Sequence, residues 1–236
     1  MPPIVVMTGG GIKGAVAAAR CPEDNELLLV HIDYGQPSAP EELKALHVLN
    51  KTFPSSSVMA LTLPHVMQLQ EGPGRSGETP AVGADGAVDK NGPSAPVLRG
   101  LLPVLMSVGV QCAWRVGASA VVTGVSRLCE ATHLGMSGAD APGNGWRELV
   151  HSFNLMVDCL SGRGPRVRIE TPLMDLGLPQ IIKLARRFRI PLERTWTCER
   201  AGPRTCGRCS SCTARARAFV EAALVDPLSK SAPAQV

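Results

Sequence analysis

Aromatic residues and long apolar runs are both scarce in this sequence. Aromatic side chains make up 3% of the 236 residues, although 44% of all residues are hydrophobic, so the core is expected to be mostly aliphatic. No apolar run approaches the roughly eighteen residues that a transmembrane helix needs. The start, Met-Pro-Pro-Ile-Val-Val-Met, has neither the cationic segment nor the cleavage site of a secretory signal. These absences predict no membrane association and a cytoplasmic location.

A strong excess of one charge is also absent, because 24 Lys and Arg residues are nearly balanced by 20 Asp and Glu residues. The formal charge of +4 is only a weak indication of an anionic partner. Ten of the basic residues lie between Ile181 and Val220, and such a cluster is able to attract nucleic acid. Solvated helix and loop surfaces are the favoured interpretation, so nucleic-acid binding is not expected.

Glycine and proline are abundant, with 24 and 20 residues. Many of them fall in residues 71–97, which interrupt an otherwise regular pattern. A loop of this length without secondary structure is uncommon inside a compact domain. The segment is either a lid over a site or a passive insertion, and the sequence does not decide between the two.

Short aliphatic runs alternate with amphipathic stretches over most of the chain. This alternation predicts an α/β fold with a Rossmann-like, doubly wound parallel sheet. In the helix predicted over 146–160, Leu149, Phe153 and Met156 are expected to face the core. Strands are predicted at 4–7, 27–33, 57–63, 118–124 and 167–172, and helices at 15–19, 40–49, 100–114, 146–160 and 178–188.

The first predicted strand runs into a glycine-rich loop, Thr8-Gly-Gly-Gly-Ile-Lys-Gly14, and then into a helix. A strand, a glycine loop and a helix in this order direct backbone N–H groups and a helix N-terminus at an anion. The candidate nucleotide-binding residues of the loop are Gly9, Gly10, Gly11, Lys13 and Gly14.

Further candidates follow the second strand and precede the central helix. Asp33, Tyr34 and Gln36 lie at the carboxyl end of a strand, where doubly wound sheets bind ligands. Alternatively, they form a turn in which Gly35 supplies the bend and Asp33 caps it. Arg99 is either a contact for an anion or a solvated loop arginine.

Four of the eight cysteines lie within fifteen residues, as Cys198, Cys206, Cys209 and Cys212. The spacing C-x7-C-x2-C-x2-C supplies four thiolates and leaves no position open, which favours a structural zinc ion. Disulfides are disfavoured because nothing marks the chain as secreted, and an iron–sulfur cluster because the ferredoxin spacing does not continue. The other thiols are expected to be small packed side chains: Cys21, Cys112, Cys129 and Cys159.

These segments together resemble the 7-cyano-7-deazaguanine synthases, members of the PP-loop ATP pyrophosphatase superfamily. The resemblance covers most of the chain and rests on motifs in the family's order. The motifs are the strand and loop at 4–19, His31-Ile-Asp-Tyr-Gly-Gln36, Val122-Thr-Gly-Val125, Ile169-Glu-Thr-Pro-Leu-Met174, and Thr195-Trp-Thr-Cys198 with the cysteines that follow.

The resemblance implies a particular chemistry. Members of the family convert 7-carboxy-7-deazaguanine to the nitrile with ammonia and ATP, in queuosine-type biosynthesis. It further implies a Mg²⁺ ion, a 7-deazapurine or nucleotide ligand, and a zinc ion on the four clustered cysteines. A homodimer, or assembly with an active paralogue, is also open.

The glycine loop departs from the family pattern Ser-Gly-Gly-x-Asp-Ser, which aligns with residues 9–14. Gly10 and Gly11 remain, so a backbone phosphate site is retained, but both hydroxyls and the carboxylate are lost. Lys13 replaces the acid. Lysine can pair with a phosphate but cannot ligate Mg²⁺, which takes oxygen ligands. ATP and Mg²⁺ are therefore in doubt as cofactors.

Other polar groups of the family pattern are also missing. Pro37 and Ser38 stand where the family has Arg-His, and Leu178 where it has a lysine. The loss of several groups that stabilise transition-state charge slows a reaction by many orders of magnitude. Two functions stay open, an ATP-dependent ligase of the family and a non-catalytic homologue that binds a purine-like ligand or a partner protein.

The predicted organisation has three parts. The PP-loop-like α/β domain covers 1–190 and carries the insertion at 71–97. A zinc-binding four-cysteine region follows over 191–222, and a flexible tail ends the chain over 223–236.

Overall fold

The structure, a computed structural model, describes residues 1–63, 66, 100–126, 145–162 and 166–229. Its five parallel strands form one sheet with helices on both faces, which confirms the predicted doubly wound α/β fold. The strands are β1 Ile4–Met7, β2 Leu27–Asp33, β3 Ser56–Thr62, β4 Ala120–Thr123 and β5 Arg168–Glu170. The helices are α1 Ile12–Ala19, α2 Ala39–Asn50, α3 Leu101–Val116, α4 Gly145–Ser161, α5 Leu178–Arg187 and α6 Ser210–Glu221, with a 3₁₀ turn at Leu192–Arg194.

The strand order β3-β2-β1-β4-β5 places a change of direction beside the first strand. The chain moves outward from β1 through β2 to β3, and then returns to the other side of β1 with β4. Met7 and Thr123, at the carboxyl ends of β1 and β4, are register partners. Ligands in such sheets bind in the crevice outside the carboxyl ends, at the switch point, so the glycine loop after β1 lies where a ligand is expected.

Alternate residues of each strand contribute to two separate cores. Val6 belongs to the cluster that includes α1, α5 and α6, and its neighbour Val5 belongs to the cluster that includes α3 and α4. The side chains of both clusters are mainly aliphatic, as the scarcity of aromatics predicted. Phe219 of α6 packs in the first cluster and Phe153 of α4 in the second.

Helix α4 is rotated relative to the prediction. Phe153 is buried and Leu149 packs partly against the core, as expected, but Met156 is 44% exposed and Val157 is buried in its place. The side chain of Asn154 accepts a hydrogen bond from the Ile169 N–H at 2.8 Å and donates one to the Ile169 carbonyl at 3.1 Å. These two bonds to β5 accompany the rotation that leaves Met156 outside. Cys159, one turn beyond Leu155, is also exposed, so the predicted packing of this thiol is wrong.

A buried ion pair that the sequence analysis did not predict joins α6 to the segment that follows it. Arg215 is 3% exposed and binds both carboxylate oxygens of Asp226, at 2.8 and 2.9 Å. It also donates to the carbonyl of Leu192 at 3.0 Å and to Oγ1 of Thr195 at 2.9 Å. The prediction that the ten basic residues lie on solvated surfaces is wrong for Arg215, because this residue is an internal cross-link between α6 and the segments around it.

Several predictions fall wholly or partly outside the described residues. These are the insertion at 71–97, Arg99, Cys129 and, from residue 230 onward, the predicted flexible tail. The division at residue 190 stays a prediction. None of the helices in the described part of the chain is long and apolar enough to cross a membrane.

Candidate functional site

The glycine loop that follows β1 packs closely against α2. Gly10 has φ +69°, and a Cβ atom there would lie 2.5 Å from the Glu42 carbonyl oxygen and 2.9 Å from the Leu46 nitrogen. Gly10 is thus required both for its left-handed conformation and for the close approach. Gly11 precedes α1, and no side chain of the described residues caps this helix. Anion binding by the loop backbone stays a prediction.

The side chain of Thr8 fills the space beside Gly14. A Cβ atom at Gly14 would lie 2.1 Å from Thr8 Oγ1 and 2.7 Å from Thr8 Cβ. The same hydroxyl oxygen accepts a hydrogen bond from the Gly10 N–H at 3.2 Å. The serine of the family pattern therefore does not fit at Gly14 while Thr8 keeps this position.

The side chain of Glu42 lies against the other end of the loop. A Cβ atom at Gly9 would meet Glu42 Oε2 at 3.0 Å. This oxygen accepts hydrogen bonds from His31 Nε2 at 3.1 Å and Gln36 Nε2 at 3.0 Å, and Oε1 accepts one from Ser38 Oγ at 2.6 Å. Burial alone would raise the pKa of Glu42, but the hydrogen bonds from His31, Ser38 and Gln36 outweigh it and leave the pKa below its usual value. A negative charge is thus held beside the loop.

The residues after β2 form a turn held by their own side chains. Gly35 has φ +99°, and its N–H donates to Asp33 Oδ1 at 2.9 Å. Gln36 accepts from the Tyr34 N–H at 2.8 Å and donates to the Ile32 carbonyl at 3.1 Å. These contacts belong to the turn interpretation. Ligand binding by Asp33, Tyr34 and Gln36 stays a prediction.

The charge of Glu199, a residue of the four-cysteine segment, acts on the side chain of Tyr34. Burial, followed by the charges of Glu42 and Glu199, raises the pKa of the Tyr34 hydroxyl. Glu199 also binds the start of α6, where its carboxylate accepts from Ser210 Oγ at 2.5 Å and from the Ser211 N–H at 2.9 Å. The carboxylate thereby satisfies a backbone donor at a helix N-terminus.

The four clustered cysteines converge on one point. The Sγ atoms of Cys198, Cys206, Cys209 and Cys212 all lie within 4.8 Å of one another. A tetrahedral zinc with Zn–S bonds of about 2.3 Å separates its sulfurs by about 3.8 Å, so a small contraction completes the shell. The turn between the ligands uses Gly207 at φ +71°. This centre is able to hold a metal ion.

Backbone N–H groups point at two of the sulfurs. The Cys206 N–H donates to Cys198 Sγ at 3.4 Å and the Cys209 N–H to Cys206 Sγ at 3.3 Å. Burial works against the Cys206 thiolate, but hydrogen bonds from the backbone of Arg208 and Cys209 and from the neighbouring thiols bring its pKa down to about 7. Burial raises the pKa of Cys209 to about 11 and also raises that of Cys212. A bound cation reverses such burial effects, because a coordinating thiol is deprotonated outright.

The four-cysteine centre and the glycine loop are joined through Trp196. Its backbone N–H donates to the Gly10 carbonyl at 3.0 Å, and its carbonyl oxygen lies 3.2 Å from where a Cβ atom at Gly11 would be. Lys13 is half-buried at the start of α1, and its backbone carbonyl carbon lies 3.0 Å from where a Cβ atom at Gly124 would be. Three segments thus meet at the switch point: the glycine loop after β1, the residues after β4, and the residues before Cys198.

The family comparison decides what kind of protein has this arrangement. The family described as Queuosine biosynthesis protein QueC matches residues 3–223. The chain belongs to this family. The match includes the glycine loop, the turn after β2 and all four cysteines, so the QueC assignment does not rest on one motif.

Relatives in this family share about a quarter of their residues with the chain. The 7-cyano-7-deazaguanine synthase of a Nitratiruptor species is 25% identical, and the alignment covers 95% of this chain and 96% of that protein. The 7-cyano-7-deazaguanine synthase of Acidobacterium capsulatum is 29% identical, with 95% and 94% covered. The chain is therefore 7-cyano-7-deazaguanine synthase-like over nearly its full length.

A solved structure is similar at a lower level. The U34-tRNA thiolase NcsA from Methanococcus maripaludis with its [4Fe-4S] cluster gives a TM-score of 0.42 at 9% identity, and the alignment covers 93% of this chain and 65% of that chain. A similarity at this level does not bear on which metal the four cysteines would hold.

The contacts around the loop have no signal in the sequence patterns considered. His31 and Ser38 bind Glu42 at one end of the loop, and Thr8 packs against Gly14 at the other. Glu42 is apparent in the sequence only as one of two acids in the first turn of α2, a position explained by the helix dipole.

Proposed function

We propose that this QueC-family protein binds a 7-deazapurine-type ligand at the carboxyl edge of the sheet and that its glycine loop does not support ATP-dependent activation of that ligand. The family match and the retained edge support the ligand class, and the altered loop supports the loss of the ATP-dependent step. It is a 7-cyano-7-deazaguanine synthase-like scaffold used for binding.

The observation that carries this proposal is the contact between Gly14 and Thr8. Thr8 occupies the volume into which a serine side chain at position 14 would extend. The side chain of Thr8 and the glycine at position 14 thus fit each other, so the loop differs from the family pattern in its packing as well as in residue 14. Between residues 9 and 14 it offers no hydroxyl and no carboxylate, although a Mg²⁺–triphosphate site depends on oxygen ligands. Each missing group of this kind costs roughly 3–4 kcal/mol of transition-state stabilisation.

The metal of the four-cysteine centre is proposed to be zinc with a structural role. Four thiolates suit zinc and leave no coordination position for a substrate. Bound zinc contributes its binding free energy to folding, because the unfolded chain has no preformed site. Cys198, Cys206, Cys209 and Cys212 would hold the ion and fix the start of α6 relative to Trp196.

The ligand-binding residues are proposed on the same basis. Asp33, Tyr34 and Gln36 border the carboxyl edge, and Arg99 completes the proposed set. Assembly as a homodimer or with an active paralogue, and a cytosolic location that keeps the thiols reduced, belong to the proposal as well.

Binding and exchange measurements test the proposal together. Isothermal titration calorimetry is expected to give saturable binding of 7-carboxy-7-deazaguanine, and ATP–pyrophosphate exchange is expected to stay at background with and without Mg²⁺. Exchange that depends on Mg²⁺ and on the 7-deazapurine would overturn the non-catalytic function.

The second candidate is an active ligase of the family. Two contacts favour it: Thr8 Oγ1 places a hydroxyl beside Gly14, and Glu42 Oε2 places a carboxylate beside Gly9. In that case the unmodified chain catalyses the exchange reaction and the Thr8→Ala variant abolishes it, whereas the binding function gives background exchange in both proteins.

A further inference from the structure

We infer that Glu42 is the specificity-determining residue of the glycine loop, and that its carboxylate excludes phosphate and leaves the edge to a heterocycle that presents N–H donors to it. This inference deepens the proposed function and rests on it for the ligand class. The exclusion of phosphate can be tested alone.

The position of Glu42 is set by its contacts with two successive loop residues. Its Oε2 atom lies 3.0 Å from the Cβ position of Gly9, and its backbone carbonyl lies 2.5 Å from the Cβ position of Gly10. The loop therefore has no side chain between its own backbone and Glu42. An anion held by the loop backbone would have the carboxylate as a close neighbour.

The carboxylate is held in place by three donors from separate positions. His31 on β2, Gln36 in the turn and Ser38 before α2 each donate to it, at 3.1, 3.0 and 2.6 Å. The side chain is 20% exposed, so it is partly shielded and yet reachable from the site. Charge-assisted hydrogen bonds to a partly buried carboxylate keep it ionised. The side chain is thus not free to turn away when an anion approaches.

Opposition of like charges decides which ligands fit. A phosphate near Gly9 and Gly10 would meet a fixed negative charge at short range, and like-charge contacts at an interface are strongly unfavourable. Lys13 on the same loop carries a positive charge and is present in every variant compared below, so a difference between the variants reports on Glu42. A heterocycle that turns its N–H donors toward Glu42 meets no such repulsion, because a carboxylate is an acceptor.

The Glu42→Gln variant removes the charge and retains the hydrogen bonds. The amide oxygen can accept from His31 and Gln36 as Oε2 does, and the amide NH₂ can donate to the Ser38 hydroxyl, which is also an acceptor. The matched control is Glu41→Gln on the same helix turn. Glu41 pairs with the exposed Lys44 at 2.9 Å, so this control removes one negative charge away from the loop.

The probe is inorganic pyrophosphate without added metal, titrated calorimetrically into the full chain. Glu42→Gln is expected to bind it at least about tenfold more tightly than the unmodified chain, with Glu41→Gln unchanged. Equal affinities, or no measurable binding by either the unmodified chain or Glu42→Gln, would overturn the inference. If Glu42→Gln does not fold, as judged by circular dichroism, Glu42→Ala replaces it with the same expectation.

A parallel titration with 7-carboxy-7-deazaguanine separates this inference from the proposed function. A gain in pyrophosphate affinity without any 7-deazapurine binding keeps the role of Glu42 and rejects the proposed ligand. Binding of the 7-deazapurine without a gain in pyrophosphate affinity keeps the ligand and rejects the role of Glu42.

Discussion

The backbone N–H of Trp196 donates a hydrogen bond to the carbonyl of Gly10 at 3.0 Å. Trp196 lies two residues before Cys198, the first thiol of the four-cysteine centre, and Gly10 is the left-handed residue of the glycine loop. The segment that leads into the four-cysteine centre is therefore bonded directly to the loop, and we expect a change at one to affect the other.

Removal of the metal is expected to loosen the glycine loop. Without a metal to hold Cys198, the hydrogen bond from Trp196 to Gly10 loses its support. We expect faster amide exchange at residues 8–14 and a change in tryptophan fluorescence after chelation, both reversed when zinc is added back. Unchanged exchange at 8–14 in a fully demetallated protein would show that the two regions are independent.

The Cys209→Ser variant is expected to lose its metal and its stability together. Elemental analysis should give about one zinc per unmodified chain and much less in the variant. Each kcal/mol lost lowers Tm by about 2–4 °C in a chain of this size. Cys159→Ser is the matched control because that thiol is exposed and lies outside the centre. Full zinc content in Cys209→Ser would exclude a four-thiolate site.

Truncation of Arg215 is expected to be among the most destabilising single changes. Arg215→Ala leaves Asp226 without its partner in a mostly buried environment, and breaking such a pair costs about 3–5 kcal/mol. Urea unfolding monitored by circular dichroism measures the difference. Arg217→Ala, on the same helix but 66% exposed, is the control and should change stability by less than about 0.5 kcal/mol. Similar losses for both variants would contradict the assigned role of Arg215.

Restoring a serine to the loop is expected to require a change at Thr8. Gly14→Ser alone places a side chain into the Thr8 hydroxyl, and overpacking of this kind costs about 1–3 kcal/mol. The double variant Thr8→Gly with Gly14→Ser should recover part of that loss, because Thr8→Gly removes both the hydroxyl and the Cβ atom that lies 2.7 Å from the new Cβ position. A double-mutant cycle on unfolding free energies checks this coupling, and strictly additive effects would mean that the two positions do not compete for space.

Stability is expected to fall at acidic pH through Glu42. The folded pKa of Glu42 lies below its usual value of 4.5, so the unfolded chain takes up a proton at higher pH than the folded chain does. Its contribution is therefore complete above pH 4.5 and is lost as the pH falls through the folded pKa. Unfolding free energies of the unmodified chain and Glu42→Gln should converge below pH 4.5, and a constant difference across that range would refute the assignment.

Local sequence patterns were sufficient for the strands, the glycine loop and the four-cysteine centre. Each depends on residues close together in the chain, such as the aliphatic run Ile4–Met7 or the C-x2-C turns. Gly35 was likewise predicted to supply a bend, and it has positive φ.

The remaining features depend on contacts between distant segments. Periodicity alone predicts Met156 inside, whereas the bonds from Asn154 to Ile169 are associated with a different rotation. Arg215 resembles the exposed basic residues in the sequence because its partner Asp226 lies beyond the end of α6. The carboxylate of Glu42 reaches Gly9 only because the loop is packed on α2, and no spacing in the sequence encodes that approach.

Asn154 also limits how far the sheet extends. Ile169 lies on the outermost strand, and its main-chain N–H and C=O are both taken by one carboxamide. An unprotected outer strand presents a row of donors and acceptors to which another chain can pair. Asn154 thus occupies the backbone groups of Ile169 that a sixth strand would use. Pairing of another chain with β5 at this residue therefore requires α4 to be displaced first.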